Sequence, residues 1–494
     1  MNGEARTGSS TELLIEFENS ESSLLFEESP GTSEMLWPLL RWPLWRQLAK
    51  DEFGLEGVPG GSDRSAFIRR AARGIVRPRL AVPTTARSAD QLFLVSGNTQ
   101  GVSSGVETNW LVDEYAMALG DEGLVIQERP LSARPRRFAP TVSMANTLAA
   151  LELRLRATSR LQPRSTFARD YVEEVVRAFP NASGRVDAQR LAHALAHQLR
   201  WSTRYRDAYL RIIDTLQPSV IYLQTASYGD KSPLIEALRA RQIIVAEHQH
   251  GWIGPFHAAY NFGQAFQRGR LRSVLPQVLV TFGDYWAEGL RFPNQVVVAG
   301  KPHLDSRVRA AAAWESRPKS VLAVSSVAHP ELMQQRVLDL AAALPADWSV
   351  RFRPHPGERQ VVATRYPELS RSARVEFDLD PDVYDSLASA RAVVGTLSTV
   401  LYEALAFSCT VVPIEDPLTS AYLGGAFGEA VSGAKNIAHA VQLPPESRLK
   451  KFTQLREAIW ASSDSQSLRE AMETVKAGHR DERSQRHGTM PDLR

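Results

Sequence analysis

The chain has 494 residues, 43% of them hydrophobic and 23% charged, more than a single core accommodates, which implies roughly two to four domains. A formal net charge of +3 is too modest to point to nucleic acid. No apolar run approaches the ~18 residues of a membrane span, and the N-terminus lacks a cationic start followed by an apolar stretch, so a soluble cytoplasmic protein is expected.

In chain order, residues 1–86 read as an N-terminal segment of small strands plus a Trp- and Arg-rich helix, MLWPLLRWPLWRQLAK (35–50), followed by IRRAARGIVRPR (68–79). Two readings stay open for these stretches: a seat on an anionic membrane, or an amphipathic helix packed on the first domain. The first domain is expected over 87–310. A strand QLFLVSG (91–97) runs into a Gly- and Ser-rich loop, then GLVIQE (123–128), a helical pattern over 141–216, and the apolar runs VIYLQ (220–224), IIVAE (243–247), QVLVTF (277–282) and QVVVAG (295–300). Short apolar runs alternating with helices read as parallel strands buried on both faces. SYGDKSP (227–233) reads first as a plain helix N-terminus, with contact to an acceptor through Asp230 or Lys231 as the alternative.

The pattern restarts after AAAAWESRPKS (310–320), and a second domain is expected over 311–478. Its strands are SVLAVSS (320–326), WSVRFRP (348–354), VEFD (375–378), AVVGT (392–396) and TVVPIE (410–415), with helices between them. Its one cysteine, Cys409 in SCTVVPI, reads as a small core residue in a reducing compartment. A helical pattern at 455–476 packs back on a core, and 479–494 is polar enough to be a disordered tail. The expected fold is α/β: two doubly wound Rossmann-like domains facing across a cleft that holds the chemistry.

Three stretches carry chemistry. In RFRPHPGERQ (351–360) prolines on both sides hold Arg353 and His355 extended, so the backbone aims the imidazole; an exposed loop histidine is the plainer alternative. GTLSTVLYEALAF (395–407) ends a strand at Gly395, opens a turn with Ser398 and starts a helix at about Thr399, which makes an anion site from free N–H groups and hydroxyls. Glu403, one turn in, is free to accept from a ligand hydroxyl; an ordinary serine cap with a solvated glutamate is the alternative. AEHQHGWIGPFHAAYNF (246–262) ends a buried strand in Glu247, His248 and His250 before Gly251, groups suited to proton transfer at a cleft edge. His248 and His250, two apart on a strand, would face the same way, yet no further ligand at zinc-like spacing accompanies them, so acid/base work, or a structural role, is read ahead of metal. Only eight of the 58 basic residues are lysine. Arginine suits bidentate phosphate contacts, although a biased genome composition explains that excess equally well.

In this order, EHQHGWIGPFHAAY, VVVAGKPHLD, RFRPHPGE, VEFDLDPDVYDSLASARAVVG and STVLYEALAF resemble the GT-B glycosyltransferases and related phosphotransferases of bacterial surface polysaccharide synthesis: capsule polysaccharide synthesis proteins, polysialyltransferases and CDP-glycerol glycerophosphotransferases. The resemblance covers about 215–425 and is weak before 90. It implies that His355, helped by Arg353, contacts the donor phosphate, that Ser398 and Thr399 hold the same phosphate, and that Glu403 lies near the nucleotide ribose. It also implies His250 as the base. In sialyltransferases an acidic residue before a glycine has that role; here His250 precedes Gly251, leaving Glu247 as a displaced candidate. The function so implied is transfer of a sugar from a nucleotide-activated donor, cytidine-linked by its motifs, to a surface or capsular polysaccharide precursor. A CDP-glycerol-type glycerophosphotransferase, a nucleotide-sugar 2-epimerase and a non-catalytic partner in an assembly complex are the alternatives. Neither metal nor cofactor is expected, the donor being a substrate. The expected partners are that donor and a glycan or lipid-linked acceptor, with peripheral contact at the inner face of the cell membrane and no nucleic acid.

Overall fold

The computed structural model describes residues 9–53, 64–76, 89–97, 99–103, 106–131, 136–159, 166–179, 184–325, 329–416, 419–423 and 425–487. Fifteen strands appear among them. They are β1 (Gln91–Val95), β2 (Gln100–Ser103), β3 (Val106–Asn109), β4 (Gly123–Gln127), β5 (Arg136–Arg137), β6 (Thr141–Ser143), β7 (Val220–Leu223), β8 (Ile244–His248), β9 (Val278–Thr281), β10 (Gln295–Val298), β11 (Ser320–Val324), β12 (Ser349–Arg353), β13 (Val375–Phe377), β14 (Ala392–Gly395) and β15 (Thr410–Pro413). The first sheet has the order β10-β9-β8-β7-β1-β4-β6 and the second β13-β12-β11-β14-β15. Every pairing within these two sheets is parallel. Strands such as FLV, VIYL and VLVT are buried along their whole length, because crossover helices cover both faces. The chain is α/β, with two Rossmann-like sheets facing across a cleft, the GT-B layout expected above.

The strand order reverses between β11 and β14, since β12 and β13 grow one edge and β14 and β15 the other. Loops leaving neighbouring strands in opposite directions open a crevice at such a point, at the carboxyl ends of the strands. The sequence 395–399 leaves β14 beside that crevice.

Residues 9–53 are helical where small strands were expected, with helices Ser10–Glu18 and Leu36–Leu48 and only an isolated bridge between Glu28 and Met35. The Trp- and Arg-rich helix is a core element rather than a membrane seat: Trp37 is fully buried and Trp45 nearly so. Of its two arginines, Arg46 is exposed and the buried one is matched internally. Arg41 donates to Glu18 and to the carbonyls of Ala258 (2.5 Å) and Asn261 (2.6 Å), which satisfies a buried guanidinium that would otherwise be costly. Residues 77–79 of the second basic stretch lie outside the described residues. The region 141–216 opens with β6 before its helices Ala145–Ser159, Thr166–Arg177 and Ala188–Leu216.

Beyond Ile459 the chain crosses back. The helix Ser465–His487 takes in residues 479–487, expected as a disordered tail, and its Leu468, Met472 and Val475 pack on the first sheet, not the second. Among the described residues no helix is long and apolar enough to cross a membrane.

Candidate active site

The two sheets point their carboxyl edges at one another across a cleft of about 490 Å³. His250 and Gly251 follow β8, Phe282 follows β9 and Lys301 follows β10 on one wall; Ser325, the 353–356 loop and Ser398 to Val400 follow β11, β12 and β14 on the other. The cleft therefore gathers His250, Arg353, His355, Ser398, Thr399 and Glu403. Glu247 and Gly395 stand behind its surface.

On the second wall, the turn Pro356–Glu358 is locked by a capping box: His355 Nδ1 accepts from Gly357 N (3.2 Å) and Glu358 Oε2 accepts from His355 N (3.0 Å). With Nδ1 engaged as an acceptor, the neutral ring carries its proton on Nε2, ready to donate. His355 is an exposed residue, as the plainer reading had it, yet it lines the cleft, and the desolvation it does feel there lowers its pKa, favouring that neutral form. Ser398 caps the helix Thr399–Ala406, its Oγ accepting from Val400 N (3.3 Å), while the Thr399 hydroxyl makes no hydrogen bond among the described residues. Gly395 is required by contact rather than by backbone angle, since a Cβ there would sit 2.7 Å from Val324 Cγ2 on the neighbouring β11.

Two expectations on this wall are corrected. Arg353 is not free for a phosphate: it donates to Asp378 (3.0 Å), Ser386 Oγ (3.0 Å) and the Asp380 carbonyl (2.9 Å), so its charge is already balanced inside its own domain. Arg359, which sequence reasoning passed over, lines the same cleft with no carboxylate in ion-pair reach among the described residues, and its buried Nε has no partner. Glu403, expected to be free, is 7% exposed; its Oε1 accepts from Tyr384 (3.1 Å) and pairs with Lys301 from the opposite domain. Oε2 accepts nothing among the described residues.

Lys301 was also missed as a site residue. Its ammonium lies 4.6 Å from the Trp110 ring centroid and 5.3 to 5.7 Å from those of Phe282, Tyr384 and Trp460, an aromatic cage that stabilises a desolvated cation. The available signal was a Gly-Lys-Pro turn directly after an apolar edge strand, only one of whose four residues is buried. Lys231, by contrast, turns inward, its Nζ donating to the Gln224 carbonyl and to Thr225 Oγ1 (2.8 Å), and Asp230 Oδ1 is buried with no partner.

On the first wall, His248 and His250 do not face the same way. His248 ends β8 inside the core, its ring 4.3 Å from that of Tyr115 and 4.9 Å from that of Tyr222, and burial pushes its pKa down to about 3. His250, past the strand end, reaches the cleft; burial, with the Lys231 charge, pushes it down to about 4, so it is neutral at pH 7. Gly251 beside it leaves room, for a Cβ there would meet nothing within 4 Å. Glu247 is fully buried, bonded to Ser227 N (2.8 Å), Ser227 Oγ (2.5 Å) and Tyr260 Oη (2.9 Å). It cannot touch a substrate. Burial raises its pKa to about 7 against the lowering by those bonds and by Lys231. Among the described residues no three His, Cys, Asp or Glu side chains gather as a metal site.

No family model matches the chain, and no curated protein matches it. Solved structures do. A glycosyltransferase from Rickettsia africae is 11% identical over 80% of this chain and 99% of its own, with a TM-score of 0.45. The calicheamicin glycosyltransferase CalG4 is 12% identical over 79% of this chain and 99% of its own, TM-score 0.44. A UDP-GlcNAc 2-epimerase from Neisseria meningitidis, bound to UDP-GlcNAc, is 11% identical over 78% and 99%, TM-score 0.41.

Proposed function

We propose that the protein is a metal-independent glycosyltransferase moving a sugar from a nucleotide-activated donor, cytidine-linked in our reading, to a hydroxyl of a surface polysaccharide precursor. The observation that carries this is the opposition of two unlike groups across one cleft: a neutral imidazole, His250, on the first wall, and an anion cradle of His355 Nε2–H, Arg359 and the N-terminus of helix Thr399–Ala406 on the second. Such a transfer needs both. The acceptor hydroxyl gives up its proton as its oxygen bonds the anomeric carbon, while the bond from that carbon to the donor phosphate breaks and the phosphate leaves with the electron pair. A base answers the first demand and preorganised positive dipoles the second. The cradle supplies the charge that the leaving group requires, so the scheme routes no step through a metal. Activated donors are made in the cytoplasm, and we set the reaction there, at the inner face of the membrane where lipid-linked acceptors assemble.

Purified protein mixed with CMP-, CDP-, UDP- and GDP-linked donors, with and without glycan acceptor, tests the reading through nucleotide release. Acceptor-stimulated release is expected. Release that ignores the acceptor makes the protein an epimerase or hydrolase, and binding without turnover makes it a partner in an assembly. His355→Ala should abolish donor binding.

A further inference from the structure

Behind His250 lies a chain of hydrogen-bonded groups running His257, Tyr228, His250, Tyr260, Glu247, and its direction is fixed from both ends. His257 Nδ1 accepts from Ala259 N (3.3 Å), so the neutral ring carries its proton on Nε2 and donates to Tyr228 Oη (3.3 Å). The Tyr228 proton then points to His250 Nε2 (3.4 Å). That leaves His250 protonated on Nδ1, which donates to Tyr260 Oη (3.4 Å), and Tyr260 gives its own proton to Glu247 Oε1 (2.9 Å). Ser227 holds the other carboxylate oxygen with two donors. A proton arriving at Glu247 therefore has one place to go, Oε1.

We propose that His250 conducts the acceptor's proton rather than keeping it, and that the chain through Tyr260 delivers it to the buried Glu247 carboxylate. This rests on the transferase reading above, in which a hydroxyl loses its proton beside His250. The acceptor O–H replaces the long Tyr228 contact and passes its proton to Nε2; the Nδ1 proton moves to the Tyr260 oxygen as the Tyr260 proton moves to Glu247. His250 and Tyr260 are left neutral with their protons on the opposite side, the Glu247 carboxyl is neutral, and His257 and Tyr228 keep theirs. After product departs, the same path returns the proton to water. A lone imidazole with a pKa near 4 would be a weak base; a carboxylate with a pKa of about 7 matches the working pH.

Burial is the largest cause of that value and raises it, while the bonds and the charge around the wire lower it. Lys231, at the start of helix Ser232–Ala240, lowers the Glu247 pKa, and the Ser227 and Tyr260 bonds do the same against the effect of burial. Asp230 acts on Tyr228, and Arg41, from helix Leu36–Leu48, on His257.

The test uses the full chain. For the wild type, kcat/KM should rise through about pH 7 as Glu247 ionises. Glu247→Gln, which keeps the shape, and Tyr260→Phe, which cuts the wire, should each lower kcat about 100-fold or more, leave donor affinity unchanged and remove the titration near pH 7. Turnover within threefold of wild type, with that limb intact in both variants, overturns the proposal. A second readout needs no activity: in the infrared difference spectrum of the resting protein between about pH 5.5 and 8.5, a buried carboxyl component should be lost in Glu247→Gln and kept in Asp113→Asn, since burial raises Asp113 to about 7 as well. No such loss overturns the wire even if transfer occurs. That loss without acceptor-stimulated nucleotide release overturns the transferase reading and leaves the wire standing.

Discussion

Arg353 and Arg359 flank the same histidine, and carboxylates decide their different fates. Arg353 faces Asp378, buried in its own domain, with Ser386 Oγ and the Asp380 carbonyl taking its other protons. Arg359 donates to one carbonyl, that of Asp380 (2.8 Å), and keeps a buried Nε unpaired at the cleft. Alanine should therefore separate them. Arg359→Ala removes a charge-assisted contact with the leaving phosphate and should weaken binding of a nucleoside diphosphate roughly 10- to 100-fold, read by titration calorimetry, with little change in the urea midpoint. Arg353→Ala leaves Asp378 uncompensated, a loss of about 3–5 kcal/mol for a broken buried pair, and should appear mainly in the urea midpoint. Equal losses of affinity with unchanged stability would return the phosphate to Arg353.

At the scale of elements, helix Leu36–Leu48 supports the first wall from behind. Its Trp42 packs edge-on to Tyr228 at 4.2 Å and stacks on His257 at 5.6 Å, while Arg41 ties down the carbonyls at 258 and 261 that bracket Tyr260. The approach depends on Gly229, where φ is +92° and a Cβ would lie 1.9 Å from the Pro38 carbonyl oxygen. Gly229→Ala should cost a few kcal/mol by strain and overpacking together. Gly269→Ala, at φ +65° with nothing within 4 Å of the added carbon, isolates the strain alone and should lower Tm much less. Because Tyr228 rides on the same turn, Gly229→Ala should also reduce turnover while sparing donor affinity; equal Tm losses in the two variants would remove the helix as a buttress. Elements of this kind show what was legible in the sequence. The strands and the loops holding His250, His355 and Ser398 are contiguous, an apolar run followed by glycine or proline, and local physics marks them. The role of Trp and Arg in Leu36–Leu48 is not local, since the same pattern suits a membrane surface or a core, and only Glu18, Ala258 and Asn261 decide. Arg353 likewise depends on a carboxylate 25 residues on, and Lys301 on one 102 residues on.

The whole molecule is held at the cleft by two crossings of the chain and by the cations that cross with it. Gly300 (φ +75°) brings the backbone so close to 461–463 that a Cβ would meet the Ala461 carbonyl at 2.5 Å, and Asp305 accepts from Ser463 N (3.0 Å) and Oγ (2.5 Å). This junction delivers Lys301 to Glu403 and, further along the same helix, Arg307 to Asp382, both across the domain boundary. Lys301 and Glu403 are the more buried pair, at 5% and 7% exposed, so salt screens them little and either one alone would be an unpaired charge in an aromatic wall. The pair should therefore behave as one unit in setting how the domains sit. Lys301→Met and Glu403→Gln should each destabilise, and the double variant should lose less than their sum by about 1–3 kcal/mol, the coupling of groups in direct contact. Small-angle scattering should show the double variant more open than the wild type without ligand, because what held the walls together there was charge meeting charge. Losses that add to within about 0.5 kcal/mol, with an unchanged scattering profile, would mean that Trp286, whose ring lies 4.7 Å from that of Tyr402 in the second domain, and Trp460, which donates to the Tyr402 carbonyl (2.9 Å), fix the domain angle and that Lys301 merely fills the cage.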